Sequence, residues 1–355
     1  MSPQQQIMHA FASRTGLAGP PDSSVRYLWT DAFAVCNFLG LYRCSGDAGH
    51  LEQAMALVRQ VHHVLGRHRS DDPRKGWISG LSEEDGERHP TCGGLRIGKR
   101  MPERRRDQPL VEELEWDRDG QYFHYLTKWM HALERVARVC HEPEAIRWAL
   151  ELAEAAHAAF VFERRPGGQK VMVWKQSIDL SYPLVPSMGH HDPLDGLITY
   201  QQIRATALDL GCPGGDAYLT SQIADMEAMC EGMHWQTSDT LGAGCLLIDA
   251  CRLAGLIADT GLSASAQLEF LLSEAVASLA ALERAQPLAD PAQHRLAFRE
   301  FGLSIGLRAA DLTHAILQQK PEHFPNRCEL LDLLARLQPF HFWIDAIESV
   351  WQDPL

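Results

Sequence analysis

Positive charge is scarce in this 355-residue chain: 33 Lys and Arg stand against 46 Asp and Glu, a formal net charge of −13. Affinity for nucleic acid comes mainly from neutralising phosphates, so a general nucleic-acid binder is excluded. No C-x-x-C occurs among the nine cysteines, and several of them (Cys36, Cys245, Cys251) sit inside apolar runs. An odd number so placed argues for reduced, mostly buried thiols rather than a disulfide framework or zinc cluster. No basic stretch followed by an apolar one opens the chain, and no run approaches the roughly 18 apolar residues that a membrane helix needs. A cytoplasmic protein with no membrane or nucleic-acid partner is expected. The sequence lacks GxxxxGK[ST], which removes the phosphate loop, and its GxSxG at Gly302 to Gly306 lies inside a run of helical spacing rather than at a strand-to-helix elbow, which removes the serine-hydrolase reading. Period-two alternation is almost absent, so little sheet is expected.

What is present is globular composition, 45% hydrophobic and 22% charged, with apolar residues recurring at three- and four-residue spacing. The spacing predicts helices over 3–14, 26–42, 48–66, 121–140, 143–163, 194–211, 216–233, 240–258, 264–284, 301–318, 325–338 and 340–352. Short breaks carrying Gly, Pro or Asp join them into antiparallel pairs: Cys44 to Asp47, His141 to Pro143, Gly211 to Gly215, and Gly261 to Ser263. The pairs are 26–42 with 48–66, 121–140 with 143–163, 194–211 with 216–233, 240–258 with 264–284, and 301–318 with 325–338, leaving the last helix to meet the first. Longer connections at 67–120, 164–193 and 285–300 would emerge on one rim, where a site is to be sought. Trp77, Leu95, Ile97 and Trp116 mark 67–120 as a packed loop, and 171–174 reads as a short strand.

Helix count over nearly the whole chain, and locally Trp29-Thr30-Asp31-Ala32-Phe33 followed by Gly46-Asp47, resemble the six-hairpin (α/α)6 toroids. That group includes many glycoside hydrolases, the unsaturated glucuronyl hydrolases and the N-acylglucosamine 2-epimerases. The resemblance implies a single all-α toroidal domain over 1–355 with a cavity that accepts a saccharide. The paired His and Arg motifs of the epimerases are not found, and no one family is assigned.

Asp31, Asp119, Asp195 and Asp239 each precede an apolar stretch. Each reads singly as a helix cap; as a set on one rim they read as carboxylates for glycosidic cleavage, where one protonates the leaving oxygen and another attacks or activates water. The acidic patch holding Glu115, Asp117 and Asp119 is the candidate general acid, because crowded like charges keep a carboxyl protonated. The second carboxylate is sought among Asp31, Asp192 and Asp195. His190 and His191 are candidates for acid/base work or for holding hydroxyls, and not for a metal, since neighbouring residues point apart. Tyr122 and His124, with Trp29, Trp77, Trp174 and Trp235 in or beside the loops, are candidate sugar-stacking surfaces. Arg96, Lys99 and Arg100 would bind an acidic substituent, or form a solvated basic loop. The expectation is therefore a glycoside-hydrolase-like enzyme without cofactor. The alternatives are a sugar epimerase or isomerase moving protons through His, an isoprenoid or peptide cyclase, and a non-catalytic scaffold.

Overall fold

The computed structural model describes residues 2–17, 25–214 and 217–352. Its helices are α1 (Pro3–Arg14), α2 (Leu28–Ser45), α3 (Ala48–Leu65), α4 (Glu83–Arg88), α5 (Glu112–Glu115), α6 (Phe123–Cys140), α7 (Pro143–Phe160), α8 (Asp192–Asp209), α9 (Thr220–Cys230), α10 (Thr240–Thr260), α11 (Ser265–Ala285), α12 (Ala297–Gln319), α13 (Arg327–Leu337) and α14 (Phe342–Gln352). All twelve expected helices are therefore present, and the chain is all-α. The two additional ones, α4 and α5, are short turns within the 67–120 segment.

Local chemistry sets the ends. Ser2 and Gln5 form a capping box at α1, the Ser2 hydroxyl accepting from the Gln5 amide at 3.2 Å and the Gln5 side chain accepting from the Ser2 amide at 2.8 Å. Gly46, at φ 71°, closes α2 in the left-handed region, and Asp47 caps α3 by accepting from the Gly49 amide at 2.9 Å. Asp239 caps α10 in the same way, through the Gly242 amide at 2.9 Å.

The chain divides into two compact units, Met1–Met229 and Cys230–Leu355. In the first, α6 lies between α2 and α8, with α3 packed on α2 and α7 on α6. Leu126, Trp129, Met130, Leu133, Val136 and Ala137 of α6 are fully buried at helical spacing, so one face of this helix is core. Trp129 donates through Nε1 to Nε2 of His62 at 3.1 Å, and burial pushes that imidazole down to about 3. Glu134, buried on α6, accepts from the Thr206 hydroxyl of α8 at 2.7 Å and pairs with Arg135. The strands are short. β2 (Val161–Glu163) pairs antiparallel with β3 (Lys170–Met172), while β1 (Gln121–Tyr122), β4 (Lys175–Gln176) and β5 (Pro183–Val185) form a second sheet in the order β1-β4-β5.

The 67–120 segment is a packed loop, as expected. Trp77, Leu95 and Ile97 are buried, whereas Trp116 is 56% exposed and anchors nothing by burial. The amide of Gln121 knits this segment to the sheet: its oxygen accepts from Leu95 N at 2.8 Å, and its nitrogen donates to Gly93 O at 2.9 Å and Ile178 O at 2.7 Å. Gly94, at φ 72°, leaves the space this amide occupies, because a Cβ there would lie 2.0 Å from its oxygen.

In the second unit α10 packs on α11 and α12, and α12 also on α13 and α14. A Cβ at Gly244 of α10 would fall 2.1 Å from the carbonyl oxygen of Gly302, and one at Gly306 would fall 2.6 Å from Gly244, so α10 and α12 touch backbone to backbone. By length and composition α10 and α11 would pass as membrane spans, which the sequence reading did not foresee. Their mean hydropathies are 1.7 and 1.2, and 67% and 50% of their apolar stretches are covered within the protein, as in core helices.

Candidate functional site

The first turns of α2, α6 and α8 carry a group of aromatic and titratable side chains. Tyr122 ends β1 and is buried. Its ring stacks on His124 at 5.3 Å, meets Tyr125 edge-on at 5.0 Å, and lies 5.1 Å from Trp174. Trp174 stacks in turn on Trp116 at 5.0 Å and donates to the Ser187 hydroxyl at 2.9 Å. From α2, Trp29 packs 5.0 Å from Tyr125 and 6.2 Å from His124, and the hydroxyls of Tyr27 and Tyr125 hydrogen-bond at 2.7 Å. Desolvation raises both tyrosines above their ordinary range. Half-buried Lys99 adds a cation 5.5 Å from the Tyr122 ring, its pKa lowered by burial. Rings of this kind offer flat apolar faces with polar edges, which suits the alternating faces of a saccharide.

Two titratable groups in this cluster shift in opposite senses. Asp192 opens α8. Burial and the neighbouring Asp195 push its carboxyl up to about 7, and its Oδ2 is buried without a hydrogen-bond partner. Gly189 leaves room for it, since a Cβ there would lie 2.3 Å from Oδ2. His124 presents Nδ1 to Asp192 Oδ1 at 3.9 Å. Desolvation and then the positive charge of Lys128 hold this imidazole below its ordinary range, so it is neutral at pH 7. Asp195, one turn further along α8, is held by the Thr127 hydroxyl and by Lys128 Nζ at 2.8 Å.

The remaining carboxylates of the sequence reading are committed elsewhere. Asp119 is fully buried and accepts four bonds: from the amides of Gly98 (3.0 Å) and Lys99 (3.3 Å), and from Arg96 (3.1 Å) and Arg69 (3.4 Å). It is no helix cap; it clamps the loop that carries Lys99. Glu115 is buried between Arg104 at 2.9 Å and Lys175 at 3.1 Å, and burial brings that lysine down to about 8. Asp31 lies within the first turn of α2 rather than ahead of it. It accepts from the Tyr27 amide at 3.0 Å and faces Arg26 at 3.5 Å, and burial outweighs both and pushes it up to about 7. Asp117 is exposed.

Among the other candidates, His190 is exposed and His191 half-buried, their rings 4.7 Å apart. Arg96 is spent on Asp119 and on the carbonyls of Arg67 and Val64, while Arg100 is exposed. Trp77 is buried under Arg67, whose guanidinium sits 4.3 Å from its ring, and so pins the loop. Trp235 and Asp239 belong to the second unit, where Trp235 is buried and Asp239 pairs with Arg299. Sequence reasoning missed Tyr27, Thr127, Lys128 and Lys175 as parts of these networks. The spacing of Lys128 four residues after His124 on one helix was the available signal.

Neither a protein-family model nor a curated protein matches this chain. A solved structure, the cellobiose 2-epimerase from Spirochaeta thermophila DSM 6192, is similar at 12% sequence identity over 89% of this chain and 87% of that one, with a TM-score of 0.47.

Proposed function

We propose that the protein catalyses proton transfer on a reducing sugar, as a sugar epimerase or isomerase does, with His124 as the acid/base and Asp192 as the partner that orients it. The observation that carries this reading is the His124–Asp192 approach at 3.9 Å inside the aromatic cluster. Asp192 faces Nδ1, which leaves Nε2 as the working atom. A neutral imidazole at pH 7 is a base, and it can take the proton from the carbon beside the sugar carbonyl and return it. The carboxyl behind it, titrating near 7, stabilises the imidazolium once ionised. Trp29 and Trp174 supply stacking faces, and Lys99 a donor for the carbonyl oxygen as negative charge builds there.

Glycosidic cleavage needs two carboxyl groups across the scissile bond. Here Glu115, Asp119 and Asp195 are each spent on cations, which favours the proton-transfer reading over the hydrolytic one.

The test is solvent exchange. Reducing mono- and disaccharides incubated with the protein in D2O should take up deuterium at the carbon next to the carbonyl, read by proton NMR. His124→Ala should abolish exchange, and Asp192→Asn should lower it and remove the inflection near pH 7. His190→Ala and His191→Ala should keep it. Release of new reducing ends from glycosides with no deuterium uptake, or full exchange in His124→Ala, would refute the proposal.

A further inference from the structure

Away from that cluster, three potential metal ligands meet where the 67–120 loop crosses α7. His89 follows α4, Cys92 lies three residues on in the same turn, and Glu151 projects from α7. One ligand atom from each lies within 4.8 Å of the other two. His89 Nδ1 and a Glu151 oxygen are already 2.6 Å apart. Bonds of about 2.0–2.3 Å in tetrahedral zinc place donor atoms roughly 3.5 Å from one another, so a small opening of the His89–Glu151 edge with Cys92 drawn in completes the triangle.

The turn is held independently of any ion. The Cys92 amide donates to His89 O at 3.3 Å and that of Gly94 to Thr91 O at 2.9 Å. The Thr91 hydroxyl reaches Trp148 O at 2.8 Å and the second Glu151 oxygen at 3.3 Å. A hydroxyl on the far oxygen of a ligating carboxylate is the arrangement that fixes ligand orientation in metal sites.

We propose that His89, Cys92 and Glu151 bind a zinc ion, with a fourth position open to solvent. Mixed imidazole, thiolate and carboxylate donors suit zinc and disfavour magnesium or calcium. Binding exchanges protons for the metal. The Cys92 S–H bond breaks, its proton leaves to solvent, and the thiolate forms the bond to zinc; the His89 Nδ1 proton that faces Glu151 in the metal-free protein leaves to solvent, Nε2 carries the ring's one proton, and the freed Nδ1 lone pair takes the ion. A divalent cation beside the thiol favours its thiolate, so the ion itself drives that deprotonation. One thiolate and one carboxylate neutralise the ion. Arg147, 3.8 Å from Glu151, keeps its closer bond to Glu144 at 2.9 Å and meets no net positive charge. The ion would tie α7 to the turn that leads into Arg96 and Lys99.

Chelator-stripped full-length protein titrated with Co2+ tests this. The expected result is one equivalent bound, with thiolate-to-cobalt charge-transfer absorption that Zn2+ displaces and Mg2+ does not. Cys92→Ser should abolish the band, and the other eight cysteines should not restore it. Glu151→Gln should weaken binding, and Thr91→Ala should do so by roughly 10- to 100-fold. Far-UV circular dichroism checks that each variant is folded. No band in the folded wild type, or an unchanged band in Cys92→Ser or unchanged affinity in Glu151→Gln, overturns the site.

Discussion

Asp119→Asn separates a clamp from a catalyst, because the two roles put the damage in different measurements. The wild-type carboxylate is fully buried, one oxygen taking the amides of Gly98 and Lys99 and the other taking Arg96 and Arg69. An asparagine keeps the shape and one acceptor for the two amides, but turns an NH2 group toward two guanidinium groups. Hydrogen bonds to charged groups are worth about 1.5–3 kcal/mol each, so losing two costs about 3–6 kcal/mol. Arg69 retains Asp71 and the carbonyls of Lys99 and Arg100, and Arg96 retains those of Arg67 and Val64, which selects the low end, about 3 kcal/mol. Urea unfolding followed by circular dichroism should show the midpoint falling by about 1 M at unchanged slope, for a slope near 3 kcal/mol/M. Amide exchange at Gly98 and Lys99 should quicken by about 100-fold, since 1.4 kcal/mol is a factor of ten in an opening equilibrium. A variant with the wild-type midpoint and protected Gly98 and Lys99 amides, yet no activity, would refute the clamp and restore Asp119 as a catalytic acid.

Two further perturbations follow from the same geometry. Asp192 titrates near 7 in the folded chain against an ordinary 3.8, so between those values the native state holds the extra proton and stability falls as pH rises. That contribution is complete below about pH 4 and gone above about pH 7, with a ceiling of about 4 kcal/mol; Asp31 has the same sign. Urea midpoints at pH 5 and pH 8 should therefore differ in the wild type, less in Asp192→Asn, and least when Asp31→Asn is added; equal differences in all three would sink the assignment. In the second unit, Gly244→Ala drives a methyl into the Gly302 carbonyl and should cost about 3 kcal/mol or more. Gly302→Ala meets chiefly the movable end of Leu241, 2.5 Å away, and should cost less; thermal unfolding that ranks the two the other way contradicts the close approach of α10 and α12.

The helices were legible because their signals are local. Apolar spacing and the Gly and Pro breaks at Gly46, Pro143 and Gly261 mark them without reference to distant residues. The turns α4 and α5 span six and four residues, too few for a period to show. Tyr122 and His124 also stand in one stretch of sequence, which made them visible as candidates. The roles of the carboxylates were not legible, since each depends on a distant partner. Glu115 is fixed by Lys175, 60 positions away, Asp195 by Lys128, 67 positions away, and Asp119 by Arg69, 50 positions away. A charged residue beside an apolar stretch looks the same whether it caps, clamps or reacts.

The Gln121 amide sets an order of events. Its contacts reach back 26 and 28 positions and forward 57, so none of them rewards folding until chain segments on both sides have arrived. Helix α6 can nucleate on its own, whereas the turn at Gly93 to Leu95 and the chain at Ile178 must gather on it later and together. Loss of this side chain removes a tie that both segments share, while Asp119 still holds the Gly98 and Lys99 amides and the Phe123 amide still donates to Trp174 O at 3.1 Å. The loop that brings Lys99 to Tyr122 and the chain that brings Trp174 thus share an anchor, and a change at Gln121 is felt on both sides of the Tyr122 ring.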